Sequence, residues 1–180
     1  NGGTFFLGMV LMMYISFSQE KSTGRLVALL AFGALEGMSI GKLVELSLYM
    51  DPSILVTALL STFAIFASFS LAALYSDRRQ SMYLSGLLYS ALNILFILSI
   101  LALLGFGSGI IFNLNLYLGL VIIVGFVFVD TQMLINRCES NGRLDSYKDA
   151  LNMFVDAVGI FVRILIILMK NNSKKKNDNR

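Results

Sequence analysis

Six apolar runs alternate with short polar links along the chain. The runs are Thr4–Ser18, Arg25–Met50, Ser53–Tyr75, Met82–Leu104, Leu116–Arg137 and Lys148–Lys170. A helix needs about 20 mostly apolar residues to cross a hydrocarbon core about 30 Å thick, and every run after the first is long enough. Short links favour antiparallel neighbours. The pattern therefore predicts an all-α fold, a polytopic transmembrane helix bundle.

The links and one of the runs carry further local signals. Asp51–Ser53, which reads Asp-Pro-Ser, predicts a tight turn with a helix restart. Gly105–Gly109, at the start of the link Gly105–Asn115, predicts a flexible connector. Gly33, Gly37 and Gly41 recur at every fourth position, a spacing that favours close packing between membrane helices.

Composition supports a membrane protein and narrows its chemistry. Hydrophobic residues make up 57% of the chain and charged residues 14%, which is too little polar surface for a soluble domain of this length. The chain contains no His, which excludes His-based catalysis and His-ligated zinc or haem. Its single cysteine, Cys138, forms no intrachain disulfide and builds no thiolate metal site alone. Carboxylates are the remaining hard ligands inside the membrane.

Basic residues in the links predict the orientation of the bundle. One end collects seven of them, namely Lys21, Arg25, Arg78, Arg79, Arg137, Arg143 and Lys148. The links at the other end contain none, so the first end is predicted to be cytosolic. The basic stretch Lys170–Arg180 conflicts with six complete crossings, because it also favours the cytosol. Either the last run crosses fully or it dips in and returns; residues 171–180 are predicted to be a basic cytosolic tail after a membrane domain over 1–170.

Two aspartates lie inside the last two apolar runs, Asp130 in Leu116–Arg137 and Asp156 in Lys148–Lys170. If the polar link Cys138–Tyr147 joins two antiparallel helices, both carboxylates lie roughly 10–12 Å below the same membrane face, at about 1.5 Å rise per residue. Ionisable groups inside a membrane are rare and are functional by default. The two aspartates, called the aspartate pair below, therefore form a candidate site.

The last run also carries a polar stripe. Asn152, Asp156, Gly159 and Arg163 follow an i, i+4, i+7, i+11 spacing, which places them on one face of a helix. Such a stripe must face protein or water rather than lipid. Glu36 lies beside the glycine face of the second run, about eleven residues from its predicted cytosolic end.

Alternatives stay open for several of these charges. The charges of Asp156 and Arg163 have a purely structural interpretation, in which neighbours satisfy them and they only lock the bundle. Glu36 is either a third carboxylate on a permeation path or a partner for Lys42 or Arg163. The basic tail either stays solvated or binds anionic lipid or a protein.

The aspartate pair predicts a latch that responds to pH and to cations. Low dielectric and mutual repulsion favour a pair that holds one proton near neutral pH. In that state a shared hydrogen bond cross-links two helices. Without the proton the pair becomes two repelling carboxylates, whose hard oxygen ligands suit Ca²⁺. Asp130 and Asp156 are therefore the predicted cation ligands as well.

Several short motifs in sequence order resemble the Bax inhibitor-1 family, the transmembrane Bax inhibitor motif proteins. The resemblance covers essentially the whole chain, and its closing motif is most similar to plant-type members. The motifs are Leu35–Gly37, Asp51–Leu55, Ala73–Tyr75 with Arg78 and Arg79, Asn115–Leu120, Asp130–Gln132, Phe154–Asp156 and Phe161–Ile167.

The resemblance implies a seven-helix bundle of which six helices are present here, the first being absent. It implies residence in the endoplasmic reticulum membrane, a pH-regulated Ca²⁺ leak and suppression of stress-induced cell death. The family's pH-sensing pair falls on Asp130 and Asp156. Bacterial relatives also have an arginine that engages these aspartates; Gln19 stands at that position, and Lys21 or Arg25 is the candidate substitute.

Three functions are weighed on these grounds. The leading one is a cation-permeable channel gated at the aspartate pair, with Ca²⁺ as the transported ion and no cofactor. An intramembrane aspartyl protease is disfavoured, because neither Asp130 nor Asp156 follows Gly-x-Gly, so no enzyme is predicted. A non-conducting scaffold that binds apoptosis regulators or other channels is the alternative. Predicted partners are Ca²⁺, H⁺, membrane lipids and apoptosis-regulating proteins, with no nucleic acid.

Overall fold

A computed structural model describes the backbone of residues 2–18, 23–76, 78–104, 108–140 and 145–178, and the side chains of 6–18, 23–76, 82–101, 104, 109–140 and 145–176. These residues form six helices and no strand. The helices are α1 (Gly2–Phe17), α2 (Thr23–Met50), α3 (Pro52–Leu74), α4 (Arg78–Leu103), α5 (Ser108–Glu139) and α6 (Ser146–Asp178). Five of them, α2 to α6, are long and apolar enough to cross a membrane, which confirms the predicted polytopic helix bundle.

The turn between α2 and α3 is built as predicted. Helix α2 ends at Met50 and α3 begins at Pro52. The Asp51 side chain accepts a hydrogen bond of 2.9 Å from the backbone N–H of Ser53, which caps the first turn of α3. The Pro52 ring fits this position because the first helical N–H has no partner within the helix.

The predicted link over Gly105–Asn115, with its flexible connector Gly105–Gly109, is wrong from residue 108 onward, because α5 begins at Ser108. Polar residues in this part of α5 have partners on neighbouring helices. Asn115 donates a hydrogen bond to Ser99 on α4, and Asn113 accepts one from Lys170 on α6. Residues 105–107 lie outside the described part of the chain.

Helices α5 and α6 form the centre of the bundle. Helix α5 contacts α3, α4 and α6, and α6 contacts α1, α2, α3 and α5. The main apolar core lies where α3, α5 and α6 meet, and it includes Ala58, Val127, Ile160 and Leu165, all fully buried. Smaller clusters join α4 to α5 and α1 to α2 and α6. In the described part of the chain, the last two helices are therefore the ones with most protein around them.

Helix α6 traverses the bundle from end to end. Near its start, Asp145 accepts a hydrogen bond from Arg25 at the beginning of α2. Near its end, Lys176 donates to the carbonyl of Met50 at the end of α2 and interacts electrostatically with Asp51. The run therefore does not turn back. The predicted basic tail is helical through Asp178 and lies at the end opposite the basic links; its cytosolic location stays a prediction.

The glycine face of α2 does not pack as predicted. A Cβ atom built on Gly37 or Gly41 meets nothing within 4 Å in the described part of the chain, and one on Gly33 touches only the Phe154 ring at 3.8 Å. Small residues permit close approach of helices but do not compel it. Gln19, Lys21 and Arg143, and the side chains of Arg78 and Arg79, lie outside the described residues.

Candidate functional site

Asp130 lies on the most buried stretch of α5. Val127 and Val129 beside it are almost completely buried, and Asp130 itself is half-buried. The two polar residues that follow tie this stretch to α3. The Thr131 hydroxyl donates to the carbonyl of Val127 at 2.7 Å and lies 3.4 Å from the Ser70 hydroxyl, whereas the Gln132 amide donates to carbonyls at the end of α3.

The Gln132 contacts have a physical reason. The last carbonyls of a helix have no partner within that helix, and inside a membrane such groups must be satisfied by protein. Gln132 donates to the carbonyls of Ala73 and Ser76, at and just beyond the end of α3. The Gln132 side chain therefore fixes the position of α5 against α3, two residues from Asp130.

Asp156 lies on α6 and is 9% exposed. Its neighbours on the helix include Leu151 and Ile160, which are fully buried. One carboxylate oxygen, Oδ2, is buried and has no hydrogen-bond partner within the described residues. A buried carboxylate oxygen without a partner is costly, so this group is poised to accept a proton or a cation.

The structure brings Asp130 and Asp156 within electrostatic reach of each other. An ion pair between Arg137 on α5 and Asp149 on α6, called the outer ion pair below, sets the register of the two helices. Asp130 lies seven residues from Arg137, and Asp156 lies seven residues from Asp149. Seven residues are nearly two helical turns, so each aspartate lies on the same helix face as its outer partner and roughly 10 Å deeper.

A cleft between α5 and α6 reaches Asp130. The cleft is small and partly open to its surroundings. The lining residues are Asp130, Met133, Arg137, Asp149, Asn152 and Met153. The predicted site residue Asn152 therefore shares a cavity with Asp130, and its side chain offers both a donor and an acceptor there.

Arg163 has no carboxylate partner among the described residues. It is half-buried and donates a weak hydrogen bond to the carbonyl of Gly159 at 3.4 Å. Its guanidinium lies over Gly119 of α5, where a Cβ atom would be 2.7 Å from Nε. The absence of a side chain at Gly119 thus makes room for the arginine between the two central helices.

Arg25 is placed away from the aspartate pair. It is 3% exposed, and it donates to the carbonyl of Ile15 at 2.6 Å and to Asp145 at 2.7 Å. Its guanidinium also lies 5.4 Å from the centroid of the Tyr147 ring. Arg25 pairs with the carboxylate of Asp145 at the start of α6. It therefore joins α1, α2 and α6 and does not engage Asp130 or Asp156.

Glu36 is half-buried on α2. Within the described residues it forms no ion pair with Lys42 or with Arg163, which leaves its placement on a permeation path as a prediction. A resident metal site has little support from side chains alone. The described residues contain no group of three or more Asp, Glu, Cys or His side chains arranged to hold an ion.

The outer ion pair was missed by sequence reasoning. Arg137 was counted only as an orientation signal, and Asp149 was not singled out. The available signal was the spacing, because each residue lies seven positions from one aspartate. Helical periodicity places residues at that spacing on one face.

Comparisons with known proteins agree with this architecture. The family described as Inhibitor of apoptosis-promoting Bax1 matches residues 2–173. Bax inhibitor 1 of Arabidopsis thaliana is 43% identical over 152 residues, which cover 84% of this chain and 61% of the relative. Bax inhibitor 1 of Rattus norvegicus is 39% identical over 172 residues, covering 96% and 72% respectively. Bax inhibitor 1 of Oryza sativa subsp. japonica is 41% identical over 165 residues, covering 91% and 64%.

The chain spans about 61% of the length of its Arabidopsis relative. No solved structure gives a significant match. Taken with the fold, these findings define a polytopic helical membrane protein that carries carboxylates in the core of its bundle. The chain belongs to the Bax inhibitor-1 family, as its sequence motifs predicted. The names of the family and of these relatives describe inhibition and no enzymatic reaction.

Proposed function

We propose that this chain forms a pH-sensitive Ca²⁺-leak pathway in the endoplasmic reticulum membrane and suppresses stress-induced cell death. The observation that carries the proposal is the aspartate pair. Asp130 and Asp156 come from neighbouring central helices, lie at one depth and interact electrostatically. The cleft between α5 and α6 that Asp130 lines is also lined by Arg137 and Asp149, which lie near the ends of these helices.

The chemistry of the pair supplies the response to pH. Two carboxylates in a low-dielectric site do not both stay ionised easily, and one shared proton lets them hydrogen-bond to each other. That state holds α5 and α6 together. Loss of the proton leaves two negative charges that repel and separate the helices. The same step exposes oxygen ligands of the kind that Ca²⁺ prefers.

Ca²⁺ is the transported ion in this proposal and not a resident cofactor. The ion takes six to eight oxygen ligands, and two carboxylates supply at most four. Water would complete the shell around an ion at Asp130 and Asp156. A partly hydrated ion is held weakly enough to leave again, as conduction requires.

The cellular part of the proposal draws on the relatives. Proteins that are 37–43% identical to this chain bear the name Bax inhibitor 1 or probable Bax inhibitor 1, and the family is described as inhibiting an apoptosis-promoting protein. Suppression of cell death is carried over from those names. The endoplasmic reticulum location rests on the resemblance alone.

The test is Ca²⁺ flux into liposomes that contain only the purified protein, measured across a range of pH. We expect Asp130→Asn and Asp156→Asn each to flatten the pH profile of the flux, because neither variant retains a titrating pair. Glu45→Gln is the matched control, since Glu45 is an exposed acidic residue on α2 and its loss should leave the profile unchanged. Profiles that stay like the wild type in both aspartate variants would remove the pair from the mechanism.

A non-conducting scaffold is the second candidate, and the relatives' names favour it. They describe an effect on an apoptosis regulator and say nothing of ion flux. Under this proposal Asp130 and Asp156 only join helices. The liposome assay separates the two functions, since a scaffold gives no flux at any pH while still binding its protein partner.

A further inference from the structure

The outer ion pair lies at the mouth of the cleft. Arg137 is two residues from the end of α5, and Asp149 is three residues from the start of α6. Met133 and Asn152 line the cleft one turn deeper, and Asp130 lies at its inner end. A particle that enters from this end of the bundle therefore meets Arg137 and Asp149 before it reaches Asp130.

The two outer residues are built differently. Asp149 is 9% exposed, and its Oδ2 is buried with no hydrogen-bond partner among the described residues. The Arg137 side chain is 33% exposed and is long enough to swing outward. The carboxylate is therefore the fixed member of the pair, and the guanidinium is the member that can move.

Electrostatics connects this pair to the inner carboxylate. Both Arg137 and Asp149 interact with the charge on Asp130. While Arg137 stays in place it offsets negative charge at the mouth of the cleft, so a cation gains little by entering. When Arg137 swings away, Asp149 and Asp130 are left as two carboxylates along one cavity, which attracts a cation and repels an anion.

We propose that the outer ion pair is a gate, in which the Arg137 guanidinium closes the cleft and its release from Asp149 opens a path for hydrated cations to Asp130. The inference rests on the proposed function for the identity of its cargo. It adds two residues to the pathway. Arg137 is the side chain that moves to open the cleft, and Asp149 is the first carboxylate that a cation meets. The gate lies about two helical turns outside the aspartate pair, so its role is to control access to that pair.

The chain offers a matched control at the same end of the bundle. Arg25 and Asp145 form a second ion pair between an arginine and an aspartate, 2.7 Å long. Neither residue lines the cleft. Loss of this pair loosens the same end of the molecule without opening the cavity, so it distinguishes a gate from general destabilisation.

Access to the cleft is measured directly by thiol chemistry. In a Cys138→Ser background, Asn152→Cys places a single thiol beneath the outer ion pair. The rate of its reaction with iodoacetamide, a small neutral reagent, is measured on purified protein in lipid nanodiscs, where both faces are open. The native Cys138 is exposed and serves as a reference thiol in the parent protein.

We expect Asp149→Asn and Arg137→Gln each to raise the reaction rate about tenfold, the shift produced by loss of one charge-assisted contact. Charge effects on the thiol alone predict opposite signs, because loss of Asp149 favours the reactive thiolate and loss of Arg137 disfavours it. The exchange Arg137→Asp with Asp149→Arg should restore the slow rate, which keeps the test valid if a single variant folds poorly.

Three results would overturn the gate. They are rates that stay like the parent in both single variants, rates that move in opposite directions, and an equal rise in the control Asp145→Asn. The thiol rates do not depend on conduction. If the parent protein passes no Ca²⁺ in liposomes while both variants open the cleft, the proposed function fails and the gate stands. If the protein conducts and the rates do not move, the gate fails and the proposed function stands.

Discussion

The central and outer helices of this bundle are both largely apolar, but they differ in how much of their surface is buried in the protein. In the most apolar stretch of each helix, 33% of the residues of α5 and 28% of those of α6 are buried inside the protein. The share is 11% in each of α2, α3 and α4. The two central helices carry the aspartate pair and the outer ion pair. The outer helices expose large apolar side chains, among them Leu60, Phe63 and Tyr83. The aspartate pair and the outer ion pair thus lie on the two helices that have the largest buried share.

This difference follows from the cost of charge in hydrocarbon. An ionised side chain facing lipid costs roughly 3 kcal/mol or more near the bilayer centre, so it is tolerated where other protein groups face it. Helices α5 and α6 supply such groups to each other. The exposed apolar positions of the outer helices need only to be apolar, and their exact side chains matter less. Two substitutions with matched controls, and one pH dependence, test the comparison.

The largest effect is expected from truncating a leucine at the centre. Leu165 on α6 is fully buried, while Leu60 on α3 is 65% exposed. Leu165→Ala should lower the free energy of unfolding by about 2–4 kcal/mol, because it leaves a cavity in a close-packed core. Leu60→Ala should change it by less than about 0.5 kcal/mol. Reversible unfolding in detergent, followed by circular dichroism, measures both; equal losses would erase the distinction between the regions.

A smaller effect is expected from adding a methyl group to a glycine. Gly119→Ala on α5 places a Cβ atom 2.7 Å from the Arg163 guanidinium, which must move. We expect a loss of about 1–2 kcal/mol in the free energy of unfolding. Among the described residues a Cβ atom on Gly41 of α2 meets nothing within 4 Å, so Gly41→Ala should be neutral or up to about 1 kcal/mol more stable. The same unfolding assay decides, and a larger loss at Gly41 would contradict the assignment of α2 to the outside.

The smallest effect concerns the pH dependence of stability at the end of the bundle. Burial alone would raise the pKa of Asp145, but the hydrogen bonds from Arg25 and Lys148 and their charges lower it below the usual 3.8. A carboxyl group whose pKa is lower in the folded than in the unfolded protein stabilises the fold at pH values above its unfolded-state pKa. This contribution is lost as the pH falls through the folded-state pKa.

The wild type should therefore lose this contribution below about pH 4, by less than about 1 kcal/mol because the pair is partly solvated. Asp145→Asn should be less stable than wild type at pH 6, and the gap should close as the pH falls toward 2. The free energies of unfolding of both proteins, measured over that range, check the sign. A gap that widens in acid would contradict the ion pair.

Hydropathy was sufficient to predict the helices, because a membrane span must be apolar over most of its length whatever it packs against. Hydropathy failed where contacts between side chains on different helices determined the structure. The fifth apolar run begins only at Leu116, so Gly105–Asn115 is predicted as a link, yet α5 begins at Ser108 and its Asn113 and Asn115 have partners on other helices. The glycine face of α2 permits packing that, in the described part of the chain, does not occur at Gly37 or Gly41.

The site divides in the same way. Asp130 and Asp156 stand out in the sequence because a carboxylate in an apolar run is improbable without a role. The partner of Arg25 was not predictable, since Asp145 is 120 residues away and no local pattern links them. The outer ion pair lies between these two cases. Its seven-residue spacing from the aspartates is visible in the sequence, but the contact between Arg137 and Asp149 is seen only in the structure.

The coupling between Asp130 and Asp156 tests the central claim most directly. Ca²⁺ flux into liposomes is measured against pH for the wild type, for Asp130→Asn, for Asp156→Asn and for the double variant. If the two carboxylates titrate as one unit, the double variant should show the same flattened profile as either single variant, so that the second substitution adds nothing. Two substitutions whose effects simply add would mean that the aspartates act independently and would contradict the account.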